Sequence, residues 1–99
     1  GGTQWQSVKT SNYTATAGQG VFMNTTSGAL TLTLPASPSI GDEVTFVDYA
    51  GTFDSNNLTI ARNSSKIHGA TEDLTVAVER AANTLVFTDS TQGWLLKSK

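Results

Sequence analysis

The sequence predicts an all-β fold: a compact, small antiparallel β-sandwich or barrel-like domain of about eight short strands. The first observation is a two-residue alternation, in which Leu30, Leu32 and Leu34 face one way and Thr31 and Thr33 the other. The second is that turn residues separate such segments at intervals of roughly 8 to 12 residues, as in sandwiches and barrels. The third is that no long stretch between them carries the periodicity of a helix.

The remaining strands are predicted from the same alternation. Gly, Pro, Asn, Asp and Ser fill the gaps between them, and Gly93 stands where the hairpin loop 89–93 needs a positive φ. We find no internal repeat and no domain boundary. Residues 5–99 are therefore expected to form one β domain of a larger protein, with residues 1–4 as a linker or cloning remnant. The other predicted strands are 44–46, 58–60, 74–78, 84–88 and 94–97, with shorter candidates at 13–15 and 21–24 and an edge strand or arm at 5–8.

The apolar residues divide into an inward-facing set and a surplus. A chain of 99 residues buries only about two-thirds of its unfolded surface, so its core is thin. A surplus on the outer faces favours cover by sister copies, and a monomeric sandwich that uses both sets is the alternative. The inward set is Val21, Leu32, Leu34, Val44, Phe46, Leu58, Ile60, Leu74, Val76, Leu85, Phe87, Trp94 and Leu96; the surplus is Phe22, Met23, Val47, Phe53, Val86 and Leu95.

Composition excludes several classes of protein. Six Lys and Arg against eight Asp and Glu give a formal charge of −2, which argues against nucleic-acid binding by phosphate neutralisation. The absence of cysteine excludes disulfides, thiolate zinc sites and a cysteine nucleophile. No apolar run approaches the roughly 20 residues that span a bilayer, so no membrane insertion is expected.

The sequence offers little for catalysis. His68 is the one imidazole, and no nucleophile-elbow motif accompanies it. The acidic neighbours at 42–43 and 72–73 would face opposite ways on a strand, which disfavours a glycosidase pair. Asp48 and the Asp and Asn residues of 54–57 offer oxygens, but their spacing fits Asx turns better than a calcium loop. We therefore expect a non-enzymatic protein without a cofactor or metal.

Binding is the class that remains. Aromatic rings can stack on sugars or pack across an interface, and Asp, Asn and Arg side chains supply several hydrogen bonds each. Trp94, followed by two leucines, is expected in the core or at an interface instead. The candidate binding residues are Trp5, Tyr49, Asp54, Asn56, Asn57 and Arg62.

Several segments in order resemble a small β domain of bacteriophage tail-fibre and other virion structural proteins. They cover the chain from about Trp5 to Leu96 and are specific for the family, not for one phage. The segments are YTA at 13–15, GVFMNTTSG at 20–28, LTLTLPASP at 30–38, GDEV at 41–44, DYAGTF at 48–53, NLTIARN at 57–63, KIHG at 66–69 and LVFTDSTQGW at 85–94.

This resemblance implies a virion fibre or appendage module that is usually trimeric and has a structural or adhesive role. We accordingly expect a homotrimer in the extracellular particle that helps to attach the virion to the host surface, with a surface glycan as the expected ligand. A purely structural spacer or capsid-decorating module without a host ligand is the alternative, and a polysaccharide-degrading hydrolase is a more remote one. The resemblance supplies no catalytic residues.

Overall fold

The computed structural model describes residues 2–97, which form nine short β-strands. Within these residues no helix is long and apolar enough to cross a bilayer. The all-β prediction is therefore confirmed, with nine strands in place of about eight. The strands are β1 (Gln4–Trp5), β2 (Tyr13–Thr14), β3 (Gln19–Met23), β4 (Leu30–Thr33), β5 (Glu43–Asp48), β6 (Leu58–Ala61), β7 (Leu74–Val76), β8 (Ala82–Phe87) and β9 (Trp94–Leu96).

The strands form two sheets that enclose one core. The five-stranded sheet has the order β1-β3-β5-β8-β9, and the four-stranded sheet has the order β2-β4-β6-β7. Strands β1 and β9 stand at opposite edges of the five-stranded sheet, so this sheet does not close on itself. The architecture is a two-layer sandwich and not a barrel.

The pairing differs from the predicted antiparallel arrangement, because both sheets are mixed. Along the first six strands the chain alternates between the sheets, and each strand from β3 onward pairs in parallel with the one two positions earlier. The described antiparallel pairs are β5–β8, β6–β7 and β8–β9. The first six strands therefore form a short coil of parallel pairs, and β7, β8 and β9 then add to the two sheets in antiparallel pairs. Apolar alternation has the same period in both kinds of pair and could not predict this difference.

The core lies between the sheets and agrees with most of the predicted inward set. Leu74, Phe87 and Leu96 are half-buried and pack against it, and the other members are buried. Trp94 is fully buried and meets the Phe87 ring edge-on at 5.5 Å between centroids. The prediction that Trp94 is a core residue is thus confirmed.

Two residues of the predicted surplus, Met23 and Phe53, instead lie fully buried in the core. Met23 follows Val21 by two positions on β3, so the alternation that buries Val21 also buries Met23. Phe53 lies in a loop, where no periodicity indicates its orientation. Its backbone N–H donates to Asp48, which folds the loop back over the core.

Asp48 is the buried acidic residue that organises this loop. Its Oδ1 accepts the backbone N–H groups of Gly51 and Thr52 at 3.0 and 3.1 Å, and its Oδ2 accepts those of Phe53 and Arg80 at 3.1 and 2.9 Å. Burial by itself raises the pKa of Asp48, but these four donors outweigh it and hold the pKa below its ordinary value. The carboxylate therefore links the β5–β6 loop to the β7–β8 turn.

The predicted hairpin between β8 and β9 is confirmed, with Gly93 at φ 74°. A Cβ at Gly93 would lie 2.0 Å from the carbonyl oxygen of Lys66, because the segment around Lys66 runs alongside β9. That carbonyl accepts the Trp94 N–H at 2.8 Å, and Trp94 in turn accepts the N–H of His68. The outer edge of β9 is thus covered by the chain itself.

Strand direction assigns the loops to two ends of the sandwich. Strands β3 and β5 are parallel and Val47 pairs with Ala82, so the loops 24–29, 49–57 and 77–81 lie at one end. We call this the Tyr49 end. The opposite end contains the loop 34–42 and is called the Ile40 end.

Candidate interaction surfaces

The outer face of the five-stranded sheet contains an apolar surface. Val44 and Phe46 of β5 point into the core, so Val47 points outward, where it lies in register with Phe22 on one side and Ala82 on the other. Tyr49 continues this alternation, because its N–H donates to Met23 as the next rung of the ladder. We call Trp5, Phe22, Val47, Tyr49 and Ala82 the apolar platform.

Trp5 completes the platform from the edge strand β1. Its ring stacks on Phe22 with a centroid distance of 4.8 Å and an interplanar angle of 22°. Gly20, the registered partner of Trp5, permits this arrangement, since a Cβ there would lie 2.6 Å from Cε3 of the indole. Trp5 and Tyr49 remain 49% and 50% exposed, so the two largest rings of the platform are open to a partner.

Two pairs of polar side chains lie beside the platform. The hydroxyls of Thr45 and Thr84 share a hydrogen bond of 2.9 Å on neighbouring strands. Lys97 and Glu43 form an ion pair of 2.9 Å that spans β8, with Glu43 toward the Ile40 end and Lys97 beside Thr84 in the middle of the face. Both charges are substantially exposed, so this pair adds little to stability.

The outer face of the four-stranded sheet is different, because it presents hydroxyl groups. Thr31, Thr59 and Thr75 are registered neighbours on β4, β6 and β7, and Thr14 pairs with Thr33 on β2 and β4. Neighbouring strands lie about 4.8 Å apart, so the threonines form regular rows. We call this set of five threonines the hydroxyl face. The predicted alternation, in which Thr31 and Thr33 face away from Leu32 and Leu34, is confirmed here.

The predicted binding residues do not form one site. Trp5 and Tyr49 share the apolar platform, although Trp5 lies on β1, Tyr49 directly follows β5, and β3 separates these two strands. Asn57 precedes β6 and follows the same alternation as Thr59, which places it at the Tyr49 end of the hydroxyl face. Asp54 is exposed in the adjoining loop.

Asn56 and Arg62 have structural contacts in the folded chain. Asn56 donates through Nδ2 to the carbonyl oxygen of Thr25 at 2.8 Å and so ties the loop after β5 to the loop after β3. Arg62 donates through Nη1 to the carbonyl oxygen of Ser65 at 3.1 Å, at the opposite end of the sandwich. Neither residue joins Trp5 and Tyr49 on the platform.

The groups considered for catalysis also make structural contacts. His68 accepts the backbone N–H of Leu96 through Nε2 at 3.1 Å, which uses that ring nitrogen at the edge of β9. Asp42 accepts the backbone N–H of Ser39 at 2.8 Å, and Asp73 accepts that of Arg62 at 3.0 Å. Among residues 2–97 no group of three or more His, Asp or Glu side chains could hold a metal ion.

The sequence patterns do not indicate that these five residues form one platform. Phe22 and Val47 are predicted only as surplus apolar residues, and no pattern marks Ala82 as part of a surface. The signal that could have joined them is the strand register, which brings β3, β5 and β8 side by side. No protein family and no curated protein matches this chain.

Proposed function

We propose that this chain is a non-enzymatic component of a bacteriophage virion, namely a tail-fibre or appendage domain. In this proposal it assembles as a homotrimer and contributes to attachment to the host cell surface through glycan contact. The observation that carries the proposal is the division of the outer surface into an apolar platform and a hydroxyl face. The resemblance of the segments from 13–15 to 85–94 supports the virion assignment.

The platform supports self-association, because a 99-residue domain with a filled core has no internal need for further apolar surface. Trp5 and Tyr49 are each about half exposed on it. Large aromatic side chains concentrated on one open face are typical of protein interfaces. Several copies of one weak ligand site on such an assembly would also raise avidity for a repetitive host surface.

The hydroxyl face supports contact with a neutral glycan. Its threonine hydroxyls can both donate and accept hydrogen bonds, as sugar hydroxyls do. Asn57, one of the predicted binding residues, adds an amide at its Tyr49 end. The five threonines carry no charge, so charged host lipids or acidic polymers are less suitable ligands for this face than neutral sugars.

A glycan array with the purified domain tests the attachment part. We expect binding to surface glycans that falls when Thr31 and Thr59 are replaced by valine, which removes the hydroxyls but keeps the β-branched shape. Ser90→Ala, in the exposed β8–β9 loop, is the matched control and should bind as the wild type does. Complete silence of the array would contradict glycan attachment and favour a structural spacer or capsid-decorating module. Cleavage of a bound glycan would instead support a hydrolase.

A further inference from the structure

We infer that the open edge of β7 is a docking site for an extended segment of another polypeptide, which adds to the four-stranded sheet as a fifth strand. This segment has apolar side chains at alternate positions and a Lys or Arg residue at each end. The inference goes beyond the proposed function, because it depends on neither the trimer nor the glycan contact. Three features carry it: the direction of the backbone groups of β7, a cavity beside them and the charges at both ends of the strand.

The backbone of β7 directs one donor and one acceptor away from its own sheet. The carbonyl oxygens of Asn57 and Ala61 accept N–H groups from the β4 side, so the odd-numbered residues of β6 bond to β4 and the even-numbered ones to β7. Since Thr59 is the registered partner of Thr75, the N–H and C=O of Thr75 point away from β6. Within residues 2–97 neither group has a hydrogen-bond partner. An extended segment fits such an edge, because its own backbone supplies the complementary acceptor and donor.

The two sheets differ in width, and the difference falls beside β7. The five-stranded sheet continues past β8 to β9, whereas the four-stranded sheet ends at β7. A cavity of about 580 Å³ adjoins this edge, lined by Val76, Val78 and Leu96 together with residues 79–83. Val78 is 66% exposed there. A strand added to β7 would direct every second side chain into the cavity, because side chains along a strand point to opposite faces in turn. The occupant therefore has apolar residues at alternate positions.

The opposite edge of the same sheet, at β2, is bridged by side chains. There the Tyr13 hydroxyl donates to Oε1 of Gln19 at 2.9 Å, which links β2 to β3 of the other sheet. The Lys9 ammonium lies 4.5 Å from the centroid of the Tyr13 ring and places a positive charge beside this edge. The two edges of the four-stranded sheet therefore differ both in open space and in charge.

Carboxylates flank β7 at both ends. Glu72 and Asp73 precede the strand and Glu79 follows it, and all three residues are exposed. None of the three takes part in an ion pair within residues 2–97. Arg80 is the one basic residue that lines the cavity, and its Nη1 already donates to a backbone carbonyl oxygen. Lys or Arg at each end of the docked segment would complement these acids, which sets the charge of the occupant.

A second copy of β7 is a poorer occupant than such a segment. If two β7 strands paired antiparallel about Thr75, residues 71–73 of one copy would face residues 77–79 of the other. Glu72 and Asp73 would then approach Glu79 of the other copy, and like charges brought together oppose pairing. None of the nine described strands has basic residues at both of its ends. The occupant is therefore a different polypeptide.

A synthetic peptide tests the inference, with the sequence Lys-Val-Thr-Val-Thr-Val-Lys and both termini blocked. It is titrated into the isotope-labelled domain to about 1 mM, so that even a weak contact is substantially occupied. We expect saturable binding that shifts the NMR signals of Val78 and Leu96 and slows hydrogen exchange at the Thr75 amide. A peptide with Glu in place of both Lys residues should bind more weakly, and high salt should reduce the difference.

Thr75→Pro tests the edge itself. Proline removes the outward N–H and its ring obstructs an approaching strand, whereas the hydrogen bonds between β6 and β7 remain. We expect the affinity for the Lys peptide to fall at least about tenfold. Thr14→Pro is the matched control on β2, where Ala15 donates to the Thr33 carbonyl oxygen and the Thr14 N–H therefore points outward. It should bind the Lys peptide as the wild type does.

The wild-type titration decides the inference even if Thr75→Pro does not fold. No saturable binding of the Lys peptide, or binding without protection of the Thr75 amide, would overturn the docking site. Equal affinity of the wild type and a folded Thr75→Pro would also overturn it. Loss of binding in Thr14→Pro alone would place the peptide on β2 instead. Equal affinity for the Lys and Glu peptides at low salt would contradict the basic ends assigned to the occupant.

Discussion

The indole of Trp5 occupies the space that a side chain at position 20 would need, so Gly20 is required for Trp5 to reach Phe22. A Cβ at Gly20 would approach Cε3 of the indole to 2.6 Å and the methyl group of Thr3 to 2.7 Å. The N-terminal edge strand and the apolar platform thus depend on a residue that has no side chain.

Gly20→Ala should displace the Trp5 ring from Phe22. We expect a loss of about 1 kcal/mol in the free energy of unfolding, the scale of one aromatic pair, and a change in the emission of the exposed tryptophan. Urea unfolding followed by fluorescence measures both. Gly2→Ala is the matched control, because a Cβ there meets nothing within 4 Å. An unchanged spectrum in Gly20→Ala would show that the ring does not lie against position 20.

Asp48→Asn should destabilise the fold despite its similar shape. An amide has one acceptor oxygen, so its NH₂ group must face one of the two pairs of backbone donors that the carboxylate now accepts. We expect a loss of about 2–3 kcal/mol, since buried donors would lose a charged acceptor. Urea denaturation measures it, with the exposed Asp54→Asn as the control. Equal stability of the two variants would contradict the role given to Asp48.

Lowering the pH should remove the stabilisation that the Asp48 carboxylate gives to the folded chain. Its pKa is lower in the folded chain than in the unfolded one, so the unfolded state binds the proton more readily. The stabilisation is therefore complete above the unfolded pKa and is lost as the pH falls through the folded pKa. Urea unfolding between neutral and strongly acidic pH should show this loss, and Asp48→Asn should show a shallower acid dependence. If the free energy of unfolding fell in parallel with pH for the wild type and for Asp48→Asn, this role of Asp48 would be contradicted.

Gly93→Ala should be more damaging than Gly41→Ala. Both glycines have positive φ, 74° and 88°, so both substitutions incur the strain of a left-handed alanine. Only at Gly93 does the new Cβ also collide with backbone, at 2.0 Å from the Lys66 carbonyl oxygen, whereas at Gly41 it meets nothing within 4 Å. We expect about 1 kcal/mol for Gly41→Ala and at least about 3 kcal/mol for Gly93→Ala. Thermal unfolding of both variants measures this difference in stability. Similar melting temperatures for Gly93→Ala and Gly41→Ala would contradict the prediction.

The alternation of apolar residues was sufficient to predict which side of each long strand faces the core. It worked for Leu32 and Leu34 and for Val44 and Phe46, because a two-residue period is a local property. It could not indicate whether the neighbouring strand runs parallel or antiparallel. That depends on where the chain goes between strands, and the crossovers of this coil carry no distinctive sequence signal.

The candidate surfaces were predicted only in part for the same reason. Trp5 and Tyr49 could be selected as aromatics with exposed faces, but their shared face follows from the register of three strands. Asn56 and Arg62 have the chemistry of binding residues, and only the three-dimensional structure shows that backbone carbonyls take up their donors. The chemistry of a side chain can be read from the sequence, whereas its exposure and its free hydrogen-bonding groups depend on the fold around it.

The mass of the wild-type domain in solution tests the central claim most directly. Forward X-ray scattering over a concentration series gives this mass without any substitution. We expect the mass to rise to three times the 10.4 kDa of one chain. A mass of one chain at every concentration, with a radius of gyration near the 12.4 Å of the isolated fold, would contradict it.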